Sequence, residues 1–300
     1  MKLLVPVDGS KHSQAAIQFI ASRNTLIGAN PRIEVLNVQQ PVPVRASRVV
    51  GKDVVRSYYD DESAKALRPA LNALKKAGVE AGSIVRVGHA PDEIAAVAEK
   101  TAPDLVVMGS HGRGTFAGLI LGSVTNGVLA RTTTPLLVLR PRAAAKGTPA
   151  DSLKVGIAID GSKFGKAAVK YALQHRSFFG AQPQFTLIHV VPDFMGAVMP
   201  DMAGIALPAL NPGEIKALQD KAFATAVDPV RKLFAKEGVA VQSVALVGNA
   251  GDEIAAYARK NKLDMLVLGS HGYGAFKQVV LGSVATRVAA NCDTPLLIVR

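Results

Sequence analysis

Two tandem α/β domains, each a doubly wound five-stranded parallel sheet flanked by helices, are what the sequence predicts, and three observations carry that reading. The chain repeats itself. Within each copy, short β-branched apolar runs alternate with longer helical patterns, and the strand-like runs are apolar at successive positions rather than at every second one. Alternating strands and helices require crossover connections and hence parallel pairing, and a strand apolar throughout belongs to a sheet covered on both faces. Right-handed crossovers then favour a doubly wound sheet of order 3-2-1-4-5.

The repeat fixes the domain organisation. Val7-Asp8-Gly9-Ser10-Lys11 returns as Ile159-Asp160-Gly161-Ser162-Lys163, an offset of 152. Val87-Gly88 with Pro91-Asp92-Glu93-Ile94 returns as Val247-Gly248 with Gly251-Asp252-Glu253-Ile254, now at 160. Gly109–Arg140 aligns with Gly269–Arg300 at the same 160, with 17 of 32 positions identical, which no compositional bias explains. Leu36-Asn37-Val38 and Ile188-His189-Val190 still match at 152, so the second copy gains its eight extra residues between Val190 and Gly248, most naturally in Pro192–Pro212. The expected domains are 1–141 and 153–300, joined by a linker, 142–152, whose Pro, Gly and small residues suit an exposed connector.

In the first copy the expected strands are Lys2–Val7, Arg32–Val38, Ser83–Val87, Leu105–Met108 and Leu136–Leu139. Each is a short β-branched or leucine-rich run bounded by turn residues. The expected helices are Ser13–Leu26, Ser57–Lys76, Pro91–Lys100 and Ser123–Ala130. In the third of these, Ile94, Val97 and Ala98 fall at i, i+3 and i+4, the spacing of a half-buried helix.

Composition narrows the function classes. The hydrophobic fraction of 49% and charged fraction of 19% suit packed cores, and no run of about 18 uncharged apolar residues suggests a membrane span. Asp8 follows the first apolar run too soon for a signal peptide, and the single cysteine, Cys292, can form neither an internal disulfide nor a cysteine cage. The expected compartment is therefore the cytoplasm, and Cys292 is expected to be a buried or half-buried thiol. The net charge of +12 divides unevenly, with 19 Lys+Arg against 11 Asp+Glu in residues 1–150 and 16 against 12 in residues 151–300. Such an excess favours anionic partners. With aromatics at only 5%, a stacking platform for nucleic acid is disfavoured.

In a doubly wound sheet a ligand sits beyond the carboxyl ends of the strands, where the strand order reverses. Between strands one and four, that crevice receives Asp8-Gly9-Ser10 and Gly109-Ser110-His111-Gly112. The second segment opens the pattern Gly109-x2-Gly112-x9-Gly122-Ser123, repeated as Gly269-x2-Gly272-x9-Gly282-Ser283. Glycines bring unblocked N–H groups close to an anion, and Ser123 and Ser283 are placed to cap helices whose N-termini favour phosphate. The plainer reading of each loop is a glycine-rich turn with an ordinary serine cap. No Walker loop, nucleophile elbow or dinucleotide fingerprint accompanies these motifs.

The Asp-Gly-Ser after strand one, the Gly-x2-Gly-x9-Gly-Ser loop and the terminal Pro-Leu-Leu-Val-Leu-Arg resemble the universal stress protein family over nearly the whole chain. The glycine motif is similar to that of the family's ATP-binding branch. That resemblance implies phosphate contacts from Gly109, Gly112, Gly122 and Ser123, and from Gly269, Gly272, Gly282 and Ser283. It also implies Asp8 and Asp160 on the nucleoside side, backbone of Val38 and Val190 reading adenine, and Gly88 and Gly248 near the ribose. The implied ligand is ATP, ADP or AMP, with or without Mg²⁺, in a stress-response sensor or adaptor. The terminal strands Leu136–Leu139 and Leu296–Val299 are implied to pair as an intrachain pseudo-dimer, and homo-oligomers stay open.

Two other readings remain. One is a tandem scaffold lacking nucleotide binding in one or both halves, holding an apolar ligand or partner at the Met-rich stretch 194–210. The other is a slow ATP hydrolase, kept open by His111 and His271, although no carboxylate pair accompanies them and no catalytic residue is assigned. The copies also differ beside the crevice. The first carries Arg45, Arg48, Lys52 and Arg56 where the second is apolar, and Arg113 stands where the second has Tyr273.

Overall fold

The computed structural model describes residues 1–22, 31–112, 121–140, 152–191, 193, 211–271 and 281–300. In the first half the strands are β1 (Lys2–Pro6), β2 (Arg32–Gln39), β3 (Ala81–Val87), β4 (Leu105–Gly109) and β5 (Leu136–Leu139). The helices there are α1 (Lys11–Ala21), α2 (Val44–Val50), α3 (Lys52–Lys76), α4 (Ala90–Thr101) and α5 (Ser123–Arg131). The second half has β6 (Lys154–Ala158), β7 (Gln184–Val191), β8 (Val241–Val247), β9 (Met265–Gly269) and β10 (Leu296–Val299). Its helices are α6 (Lys163–Gln174), α7 (Pro212–Lys236), α8 (Ala250–Lys260) and α9 (Ser283–Asn291).

The strands form one ten-stranded sheet, ordered β3-β2-β1-β4-β5-β10-β9-β6-β7-β8. Each half has the expected 3-2-1-4-5 order with parallel pairing throughout. The halves join where β10 pairs antiparallel with β5, Leu297 lying opposite Leu137. Because that pairing is antiparallel, the carboxyl ends of the two sets of parallel strands face opposite ends of the sheet. The two crevices therefore open away from each other.

Side chains alternate across the sheet, as a pleated strand requires. Leu3, Val5, Leu105 and Val107 enter one core with α1 and α3, while Leu4, Val106 and Met108 enter the other with α4 and α5. Both cores continue into the second half, where Phe178, Phe179, Phe185 and Phe234 fill the first. Phe19 of α1 meets Phe178 at 6.1 Å between ring centroids, the Tyr171 hydroxyl donates to the Asp104 carbonyl at 2.9 Å, and Arg140 pairs with Asp293 at 2.9 Å. Cys292 is buried in the second core at the end of α9.

Two elements depart from the sequence expectation. The helix expected from Ser57 begins at Lys52, and α2 precedes it where no helix was foreseen. No residue of α2 is buried, so it carries no apolar stripe to mark it. α1 ends at Ala21, capped by Ser22, and residues 23–26 of the expected Ser13–Leu26 lie outside the described residues. So do 142–151 of the linker, although Ser152 at its end already bridges to Gly180 in the second half. The Met-rich stretch 194–210, Arg113, Gly272 and Tyr273 also lie outside. No described helix is long and apolar enough to cross a membrane.

Candidate functional site

The crevice forms where β1 and β4 separate. Asp8 leaves β1 and turns back on the chain, its Oδ1 accepting the Ser10 N–H at 3.0 Å, while the Ser10 side chain caps α1 through the Ser13 N–H at 3.2 Å. Asp160 and Ser162 repeat this turn, at 2.9 Å from the Ser162 N–H and 3.2 Å from the Gly165 N–H. The other Asp8 oxygen faces the loop after β4. A Cβ on Gly112 would stand 2.8 Å from it, so glycine lets the loop approach without displacing that carboxylate.

Gly109 closes β4 against the first turn of α1, where a Cβ would lie 2.6 Å from the His12 backbone. Gly269 does the same against Phe164, at 2.8 Å. These two glycines therefore also dock helix on strand. The loop itself is pinned by backbone: the Ser110 N–H donates to Leu139 O at 2.7 Å, and the Gly122 N–H to Ser110 O at 2.7 Å. Ser270 and Gly282 repeat both bonds at 2.7 and 2.8 Å. A return this tight presses the start of α5 onto His111.

Ser123 and Ser283 are not caps. Gly122 and Gly282 occupy the N-cap positions of α5 and α9, the serines are the first helical residues, and neither helix has a side-chain cap or an acidic residue in its first turn. α1, α6, α7 and α8 have side-chain caps, whereas α2, α3 and α4 lack them, α3 and α4 carrying acidic residues in their first turns instead. The difference matters because an uncapped first turn leaves N–H donors and the positive end of the helix dipole available to an anion.

Val38 lies at the end of β2. The Val7 N–H donates to Leu36 O at 2.8 Å and the Gly88 N–H to Gln39 O at 2.9 Å, so backbone groups of even-numbered residues point toward β1. Those of Val38 thus point toward the crevice side, past the last residue of β1. Val190 is set the same way by Ile159 N–H to Ile188 O at 2.9 Å. Gly88 sits two strands from β1, about 10 Å away in the sheet, and Gly248 is its counterpart with φ of +129°. Asp8, Gly112, His111, Gly122 and Ser123 are thus brought together at the mouth, Val38 borders it, and Gly88 lies outermost.

Sequence reasoning missed two supports. The buried Asn37 donates from Nδ2 to the Val7 carbonyl at 2.8 Å and accepts from Gln39 Nε2 at 2.7 Å. In the second half His189 places Nδ1 2.8 Å from the Ile159 carbonyl, so Nδ1 is the protonated nitrogen there. The copies match at this position in role but not in residue, which a comparison restricted to identities overlooks. Asn37→Ala is expected to cost about 1–3 kcal/mol by stranding a buried carbonyl. Thermal unfolding of the variant checks it.

His12 is the other. Its ring packs on His111 with centroids 5.4 Å apart, and the His111 Nδ1 lies 3.1 Å from Ser110 Oγ. Burial holds the His12 imidazole below its ordinary value, His111 adding to the depression, Asp8 opposing it and Arg140 adding again. Arg45, Arg48, Lys52 and Arg56 are exposed on α2 and the start of α3. Among the described residues no group of three or more His, Cys, Asp or Glu side chains is placed to hold a metal.

Comparison with known proteins follows this geometry. The profile of the universal stress protein family matches residues 1–140 and again 153–300. A universal stress protein of Mycolicibacterium smegmatis is 26% identical over 310 residues, covering 99% of this chain and 96% of its own. One of Methanocaldococcus jannaschii is 31% identical over 148 residues, covering 49% of this chain and 81% of its own. The crystal structure of a universal stress protein from Archaeoglobus fulgidus covers 100% of this chain and 98% of its own, with a TM-score of 0.71 at 21% identity, a likeness of fold.

Proposed function

Because the chain belongs to the universal stress protein family, matched in both halves, we propose that each half binds an adenine nucleotide in its crevice and that the protein acts as a stress-response sensor or adaptor. The observation that carries this reading is the uncapped start of α5, pressed by Gly122 onto a loop whose Gly112 abuts Asp8, at the point where strand order reverses. α9 and Gly282 repeat the uncapped start in the second half.

In this reading the phosphates lie on the N–H groups of the loop and of the first turn of α5, near Gly112, Gly122 and Ser123. Oriented amides at a helix N-terminus suit a polyanion without supplying any reactive group. Asp8 lies on the nucleoside side, and the backbone of Val38 offers a donor and an acceptor to the adenine edge. Asp160, Val190, Gly269, Gly272, Gly282 and Ser283 serve the second site, with Gly88 and Gly248 outermost on the ribose side. Mg²⁺, where it takes part, arrives on the nucleotide's own phosphates. In this reading the domains are 1–141 and 153–300, and the β5–β10 pairing supports an intrachain pseudo-dimer.

Equilibrium titration with ATP, ADP and AMP tests the reading. Saturable binding supports it, and its absence for all three leaves the scaffold. Turnover of ATP lost on changing both His111 and His271 would identify a slow hydrolase instead.

A further inference from the structure

Each half sets an aromatic ring from the first turn of a helix against the histidine of its glycine loop, but the two halves use different rings. His12 of α1 packs on His111 at 5.4 Å with planes tilted 53°, and Phe164 of α6 packs on His271 at 5.3 Å and 45°. The close backbone fits at Gly109 and Gly269 fix both rings in the same place. The geometry is thus retained while one ring can take a proton and the other cannot.

The surroundings sharpen the difference. His12 is faced by His111 from the loop after β4, Asp8 from the end of β1 and Arg140 from the end of β5. Phe164 instead has the Lys163 ammonium 5.0 Å from its ring centre. His111 also abuts the N-cap of α5, since a Cβ on Gly122 would lie 3.1 Å from its Cα. The imidazole pair therefore stands beside the helix terminus where an anion is favoured.

We propose, resting on the nucleotide reading above, that the first site binds its anionic ligand with uptake of a proton from solvent by His12, which has no titratable counterpart at Phe164 of the second site, so that mild acidification loads the first half selectively. The sign follows from linkage. A bound phosphate raises the pKa of His12 above its value in the free protein. Affinity then rises as pH falls from the bound-state value to the free-state value, and is flat beyond both. One extra proton changes affinity by at most about tenfold per pH unit. Protonation of the nucleotide itself affects both sites alike and cancels in the comparison.

The test is calorimetry of ATP binding at about pH 7.5 and about pH 6, in two buffers of different ionisation enthalpy. Gly282→Val leaves the first site for measurement and Gly122→Val the second. The expected result is greater proton uptake at the first site, whose affinity relative to the second rises about three- to tenfold on acidification. His12→Phe removes that excess, and Phe164→His creates it in the second half. If the valine variants do not fold, the same excess is read as the loss of total uptake caused by His12→Phe in the otherwise native chain. Binding with equal uptake at both sites overturns this inference alone, whereas no binding at any pH overturns the nucleotide reading with it.

Discussion

Valine at both Gly122 and Gly282 is expected to weaken ATP binding by about a hundredfold or more, the loss of roughly 3 kcal/mol. A Cβ on Gly122 would stand 3.1 Å from His111 Cα and 3.2 Å from Ser110 O, both of them backbone atoms of the loop. Relief requires the loop and the start of α5 to move apart, straining the 2.7 Å bond from the Gly122 N–H to Ser110 O. That movement displaces the amides proposed to hold the phosphates. It leaves both hydrophobic cores intact, so the variant is expected to unfold cooperatively near the parent's temperature. Either single substitution should halve the binding stoichiometry in calorimetry. Unchanged binding by the double variant would place the nucleotide elsewhere.

Phe179→Ala is expected to have the largest effect on stability, about 3–5 kcal/mol. Phe179 is fully buried and meets Phe178 and Phe185 edge-on, with centroids 5.6 and 5.7 Å away. Phe185 continues to Phe234 at 5.4 Å, and Phe178 to Phe19 of the first half at 6.1 Å. Truncation removes buried area and the edge-to-face contacts together, and it leaves a cavity that rigid neighbours cannot fill. Denaturant unfolding measures the loss. Val49→Ala is the contrast: that side chain is 86% exposed, and its loss should change stability by less than about 0.5 kcal/mol.

The fold was legible because its cause is periodic. A strand buried on both faces, such as Leu105–Met108, announces itself by unbroken apolarity, and the amphipathic Ile94-Val97-Ala98 spacing marks α4 equally well. α2 was not legible because none of its residues is buried, leaving no pattern for burial to impose. The crevice was legible in outline, since strand order and repeated glycines place Asp8 and Gly112 at one spot. The roles within it were less so. Ser123 looks like a cap from sequence, yet the Gly122 N–H bond to Ser110 O sets the helix start one residue earlier, and Gly109 proves to be a docking contact with His12. Asn37, His12 and Phe164 gain their roles only through neighbours distant in sequence or differing between copies.

The most direct measurement is to purify the chain without added nucleotide, denature it, and identify the released small molecules by mass spectrometry. The account predicts adenine nucleotide approaching two equivalents per chain. No adenine nucleotide, followed by no ATP binding on titration, would contradict it.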